Sequence, residues 1–90
     1  MYISRLEWEE YRVEHIARHE VVPDEVWEIC EDPHHLARRQ GRNRYLVYGQ
    51  TASGRYLFLV LEHTRGTVYK PITARDMTIN EKRNFRRNRK

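Results

Sequence analysis

The nine residues Arg55–His63, RYLFLVLEH, are apolar on both parities: Leu57, Leu59 and Leu61 fall on one side of an extended chain, Tyr56, Phe58 and Val60 on the other. A strand of this kind needs cover on both faces and belongs in the interior of a sheet. The triplet Ala52–Gly54 before it is too short for anything but a hairpin, so Arg44–Thr51, RYLVYGQT, is expected as its antiparallel neighbour. A second turn at Thr64–Gly66 leads to Thr67–Ala74, TVYKPITA. Pro71 in that segment cannot donate to a ladder, which argues for an edge position or a bulge. His35–Gln40, HLARRQ, reads as a short edge strand.

Ahead of Pro33 the period is helical. Glu9–Glu20 has acids in its first turn, where they favour the positive end of the helix dipole, and sets Val13, Ile16 and Ala17 on one stripe. Pro23 with Asp24 and Glu25 opens a second helix, Val26, Ile29 and Cys30 recur at helical spacing, and Pro33 stops it. After the last strand, Thr78 with Glu81 three residues on is a capping-box pattern that begins a third helix. The expectation is an α+β fold: two N-terminal helices, an antiparallel meander of three to four strands, and a C-terminal helix. Ninety residues suit a single domain over 1–90. The chain has no run of eighteen apolar residues, and MYISRLEWEEYR is acidic and polar where a signal peptide is basic and then apolar, so membrane insertion and secretion are not indicated and a cytoplasmic protein is expected. The single cysteine, Cys30, lies within the apolar stripe and reads as a buried structural thiol.

Charge divides the chain. Residues 1–32 carry ten acids against three arginines, and residues 33–90 carry fourteen Lys/Arg against Glu62, Asp76 and Glu81. An excess of this size on the β-rich part is an electrostatic footprint for a polyanion, or simply a solvated basic face. Tyr45, Tyr48, Tyr56 and Tyr69 interleave with the cations. Aromatic and basic side chains together bind single-stranded RNA, although tyrosine is also what strands prefer.

The order EHIARHEV, PDEVWEICEDP, RYLVYGQTASGRYLFLVLE, VYKPITARDMTINEKRNFRR resembles the BrnT toxins of type II toxin–antitoxin systems, from about Trp8 to Arg87. ITARDMTINEKRNF is the most specific piece. The resemblance implies a RelE-like ribonuclease fold, RNA cleavage that inhibits translation, and a cognate antitoxin partner that also binds operator DNA. It extends to a homodimer or a toxin–antitoxin heterotetramer. Three features depart from the family pattern. Glu20 stands where a glycine often follows the first helix, the loop between the first strands is reduced to RRQGRN, and Lys70 replaces a common arginine.

Metal-independent RNA cleavage needs a base at the ribose 2′-hydroxyl, cations around the phosphate, and a proton for the leaving 5′-oxygen. Arg75, at the end of the last strand and ahead of a helix N-terminus, is the candidate for the phosphate; a structural ion pair with Asp76, Glu81 or the N-terminal acids is the competing reading. Lys70 and Arg55 join it as candidate catalytic cations and His63 as candidate acid or base, against the reading of His63 as a mere strand-end residue. Arg44, Tyr56, Tyr69, Arg83, Arg86 and Arg87 are candidate RNA contacts. His15 and His19 have zinc-pair spacing, with Cys30, His34 and His35 as conceivable further ligands, but the metalloprotease glutamate is missing, and neither metal nor cofactor is assigned. The tail Lys82–Lys90 binds any polyanion and does not identify a substrate. Two function classes follow: an endoribonuclease toxin, and a non-catalytic module, either an inactive toxin-fold relative binding nucleic acid or protein, or a basic DNA-binding repressor subunit.

Overall fold

The computed structural model describes residues 1–89; Lys90, the last cation of the tail, lies outside the described residues. The order of elements is β1 (Arg5–Leu6), α1 (Glu10–Ala17), α2 (Pro23–Glu31), β2 (Leu36–Gln40), β3 (Arg44–Gln50), β4 (Tyr56–Arg65), β5 (Val68–Asp76) and α3 (Ile79–Asn88). The strands form one sheet in the order β1-β5-β4-β3-β2. β2 through β5 are the expected antiparallel meander, with β4 inside. β1 corrects the expectation of a purely antiparallel sheet: its two residues pair parallel to β5, Arg5 with Val68 and Leu6 with Tyr69, and so short a segment carries no alternation to read.

β4 is covered on both sides, as its two apolar parities require. Leu57, Leu59 and Leu61 are fully buried under α1 and α2 with Ile16, Val26, Ile29, Val47 and Ala74. Each such leucine contributes on the order of 2 kcal/mol relative to an exposed one. α2 lies so close to β3 that a Cβ on Gly49 would come within 2.9 Å of Ile29 Cγ2, and only glycine fits there. The end of α2 is tied down as well, by the Asp32 carboxylate, which accepts the Gln50 N–H at 2.8 Å.

The other face of β4 is covered by α3 alone. Phe58, Met77 and Phe85 are buried there, while Leu46, Tyr48, Tyr56 and Val60 remain half-buried around them. Thr78 caps α3 as its sequence foretells: its hydroxyl accepts the Glu81 N–H at 3.1 Å and its own N–H donates to the Glu81 carboxylate at 2.8 Å.

Two further local features differ from the reading of the sequence. α1 ends at Ala17, three residues early, and Ala17 itself is exposed. The Val21 N–H returns to the Ile16 carbonyl at 3.1 Å and the Glu20 N–H to Ala17 at 2.9 Å, a Schellman closure with Glu20 in the left-handed position at φ 59°. In β5 the register slips between Val60–Thr73 and Leu61–Pro71, leaving Ile72 as a bulge beside the proline. Pro71 thus marks the bulge, in a buried position.

A basic sheet face as candidate functional site

Strand register decides which side chains meet. Residues paired across strands share a face, and neighbours along a strand do not. Phe58 pairs with Tyr48 and Arg75, Val60 with Leu46, and Glu62 with Arg44 and Lys70. All these positions share the face that α3 crosses, and Leu46 brings its partner Arg38 on β2 to it. α3 packs its Phe85 over one end, near Tyr56 and Phe58, and leaves the rest of this face open. Arg75, Lys70, Arg44 and Arg38 therefore stand around one partly apolar surface floored by Leu46 and Val60.

Arg75 is the best-fixed of these cations. Its guanidinium lies 4.3 Å from the centre of the Phe58 ring and holds Glu81 in a fork, Nη1–Oε1 at 2.8 Å and Nη2–Oε2 at 3.1 Å. Nη1 also donates to the Asp76 carbonyl at 3.0 Å. The hydrogen bond to Glu81 pushes the guanidinium pKa up, and the same bond lowers that of the Glu81 carboxyl. With 36% of its side chain exposed, Arg75 still presents an edge to solvent. Lys70 is half-buried beside Glu62, and Arg44 reaches Glu62 at 3.9 Å.

The remaining candidates are placed elsewhere. Arg55 and His63 share the parity of Leu57, Leu59 and Leu61 and so belong to the opposite face. Arg55 is a strut: it donates to Glu25 at 3.0 and 3.1 Å, to Asp76 at 3.1 Å, and to the carbonyl of Glu20 at 2.6 Å. The bond to Asp76 leads in raising its pKa. His63 packs on Tyr69, ring centres 5.2 Å apart, and its Nε2 lies 2.8 Å from the Gly66 carbonyl of its own turn. Tyr69 is 6% exposed and packs edge-on against Tyr45, so it offers no ring for a base to stack on. The structure does not bring Arg55, His63 or Tyr69 together with Arg75 and Lys70.

Tyr56 lies at the outer flank of α3. Lys82, Arg86 and Arg89 stand over its ring at 5.2, 5.8 and 5.9 Å, while Arg83 and Arg87 are exposed on the helix. His15 meets the His19 ring edge-on and lies 3.1 Å from Thr73 Oγ1. Among the described residues no three His, Cys, Asp or Glu side chains converge as metal ligands. A hollow of about 420 Å³ between the N-terminal segment and α2 is lined by Trp27, Cys30 and His35, away from the basic face. Burial pushes the Cys30 thiol up to about 12, which keeps it protonated at neutral pH.

Sequence reasoning passed over Arg38 and Glu62, both on the basic face. The Arg44–Thr51 and Arg55–His63 hairpin carried the signal for Glu62, because pairing Gln50 with Tyr56 sets Glu62 opposite Arg44.

No family model and no curated protein matches the chain. Among solved structures, the ribonuclease toxin BrnT of Brucella abortus superposes with a TM-score of 0.67 at 12% identity, over 82% of this chain and 96% of that one. The chain has the α+β fold of that toxin.

Proposed function

We propose that the protein is a metal-independent endoribonuclease toxin that acts in the cytoplasm and inhibits translation by cutting RNA. The observation that carries this reading is the gathering of Arg75, Lys70, Arg44 and Arg38 on a partly open face of a sheet whose fold is that of a ribonuclease toxin. Cations spaced across strands suit a phosphate backbone, and the half-buried Tyr48, Leu46 and Val60 between them suit unstacked bases. The same half-covered face is a place for an antitoxin to dock, and its occupation would block RNA directly. A homodimer or a toxin–antitoxin heterotetramer fits such a surface.

The Arg75–Glu81 fork favours a second reading, in which this arginine is structural and the protein binds RNA without cutting it. Incubating the purified protein with RNA in the presence of EDTA separates the two. Cleavage that persists in the chelator and falls in Lys70→Ala/Arg44→Ala supports the toxin. RNA binding without cleavage by the wild-type protein leaves only the binding module.

A further inference from the structure

Cations alone do not cut RNA; the 2′-hydroxyl must lose a proton. His63, the only histidine on the sheet strands, is turned to the opposite face and held against the Gly66 carbonyl. The basic face does carry a carboxylate. Glu62 lies on the interior strand β4, opposite Lys70 on β5 and Arg44 on β3, so that the row reads cation, carboxylate, cation across three adjacent strands. Directly opposed side chains start about 5 Å apart at Cβ.

This carboxylate is not committed to the fold. Among the described residues its one ion pair, to Arg44, is long at 3.9 Å, and the two side chains are 37% and 52% exposed. Exposed pairs of this geometry contribute little to stability. By contrast Glu81, at the α3 end of this side, is fully engaged by Arg75 and by the cap of α3. The charged groups facing Glu62 are Lys70 and Arg44; the Glu7–Arg65 pair stands past Lys70 at the sheet edge, and α1 and α2 pack their apolar stripes on the opposite face, α1 reaching this side of β5 through the His15–Thr73 contact.

We infer, on the reading that this face cleaves RNA, that Glu62 is the general base of the reaction and that the scissile phosphate sits between Lys70 and Arg44. The ribose 2′-oxygen gives its proton to the Glu62 carboxylate and attacks the adjacent phosphorus. The 2′-O–P bond forms, the P–O5′ bond breaks, and the departing 5′-oxygen takes a proton from water. The products are a 2′,3′-cyclic phosphate and a 5′-hydroxyl, and Glu62 returns its proton to solvent. Lys70 and Arg44 meet the phosphate oxygens as their charge builds. Arg75 lies four residues along β4 from Glu62, about 13 Å by strand rise, and its fork with Glu81 points it toward α3. It therefore holds a different phosphate of the same strand.

The test uses an oligoribonucleotide with one ribose in a 2′-deoxy background, cleaved by the wild-type protein, Glu62→Gln and Glu62→Asp. Glu62→Gln is expected to lower kcat by about a hundredfold or more. The acid limb of the pH–rate profile should vanish in it, with unchanged unfolding and undiminished affinity for the all-deoxy strand. Glu62→Asp, its carboxylate drawn back by one methylene, should cleave slowly with the acid limb retained. Wild-type rates in Glu62→Gln, or a slow variant whose acid limb persists, would overturn the assignment while leaving the nuclease reading in place. Failure of the wild-type protein to cleave RNA at all would strike both.

Discussion

Arg75 and Glu81 close a two-pronged ion pair at 2.8 and 3.1 Å that ties the end of β5 to the first turn of α3. The guanidinium rests on Phe58, so one side chain joins the sheet, the helix and the aromatic cluster beneath it. Arg75→Ala should cost about 1 kcal/mol in urea unfolding through loss of the pair and the stacking. It should also raise the KM for RNA about tenfold, the worth of one charge-assisted phosphate contact, with kcat nearly unchanged. Arg75→Lys keeps the charge without the fork and should recover only part of either loss. A collapse of kcat at unchanged KM would move the chemistry to Arg75.

The same pair makes stability depend on pH with a definite sign. The hydrogen bond from Arg75 holds the Glu81 carboxyl below its ordinary value of 4.5, with desolvation acting the other way. A depressed folded-state value means the stabilisation is full above about pH 4.5 and is lost as the pH falls through the lower folded value. Glu81→Gln should therefore lower the melting temperature at neutral pH and lose less than the wild-type protein between pH 5 and pH 3. Parallel melting curves for the two proteins across that interval would exclude the linkage.

Most of the fold was legible because its signals are local. The two-sided apolar pattern of Arg55–His63, the hairpin before it, Pro23, and the Thr78–Glu81 box each describe a structure that tertiary packing did not overrule. The candidate site was legible only in part. Arg75, Lys70 and Arg44 do share a face, but Arg55 and His63 have the parity of the core leucines, and that parity was already readable in RYLFLVLEH. Two placements needed the third dimension. The Ile72 bulge sets the partners of Lys70, and a two-residue parallel strand leaves no periodicity to find.

Arg55, a catalytic candidate in the sequence, is held as a strut in the fold. Its 26%-exposed side chain spans Glu25 at the start of α2, Asp76 at the end of β5 and the Glu20 carbonyl in the turn after α1. Removing it leaves a half-buried carboxylate and a carbonyl without their donor, at a cost of about 2 kcal/mol. Arg55→Ala should unfold at lower urea yet, while folded, cleave RNA as the wild-type protein does.

Glu20 occupies the left-handed position of the Schellman turn at φ 59°, with buried Ile16 and Val21 in the positions that pack across such a turn. An L-residue there is strained where glycine is not. The Arg55 bond uses the backbone carbonyl of Glu20 and survives substitution. Glu20→Gly should stabilise by about 1 kcal/mol, which raises the melting temperature of a chain of this size by roughly 4–8 °C. An unchanged or lower melting temperature would mean that the Glu20 side chain does something the geometry does not reveal.

The cations of α3 differ in what surrounds them, and salt should reveal it. Arg83, Arg86 and Arg87 are exposed, with Phe85 between them turned into the core, so they reach phosphates only from the outer side of the helix. Contacts of this kind add affinity without reading bases. Replacing all three with alanine should weaken binding to unrelated single-stranded RNAs equally and reduce the slope of log affinity against log salt by about 2, near 0.7 per released phosphate contact. Lys70 and Arg44 lie on the open face that is assigned the chemistry, so their loss should lower the cleavage rate as well as the salt slope. A triple α3 variant with the full wild-type salt slope would place the RNA wholly on the sheet face, away from the helix.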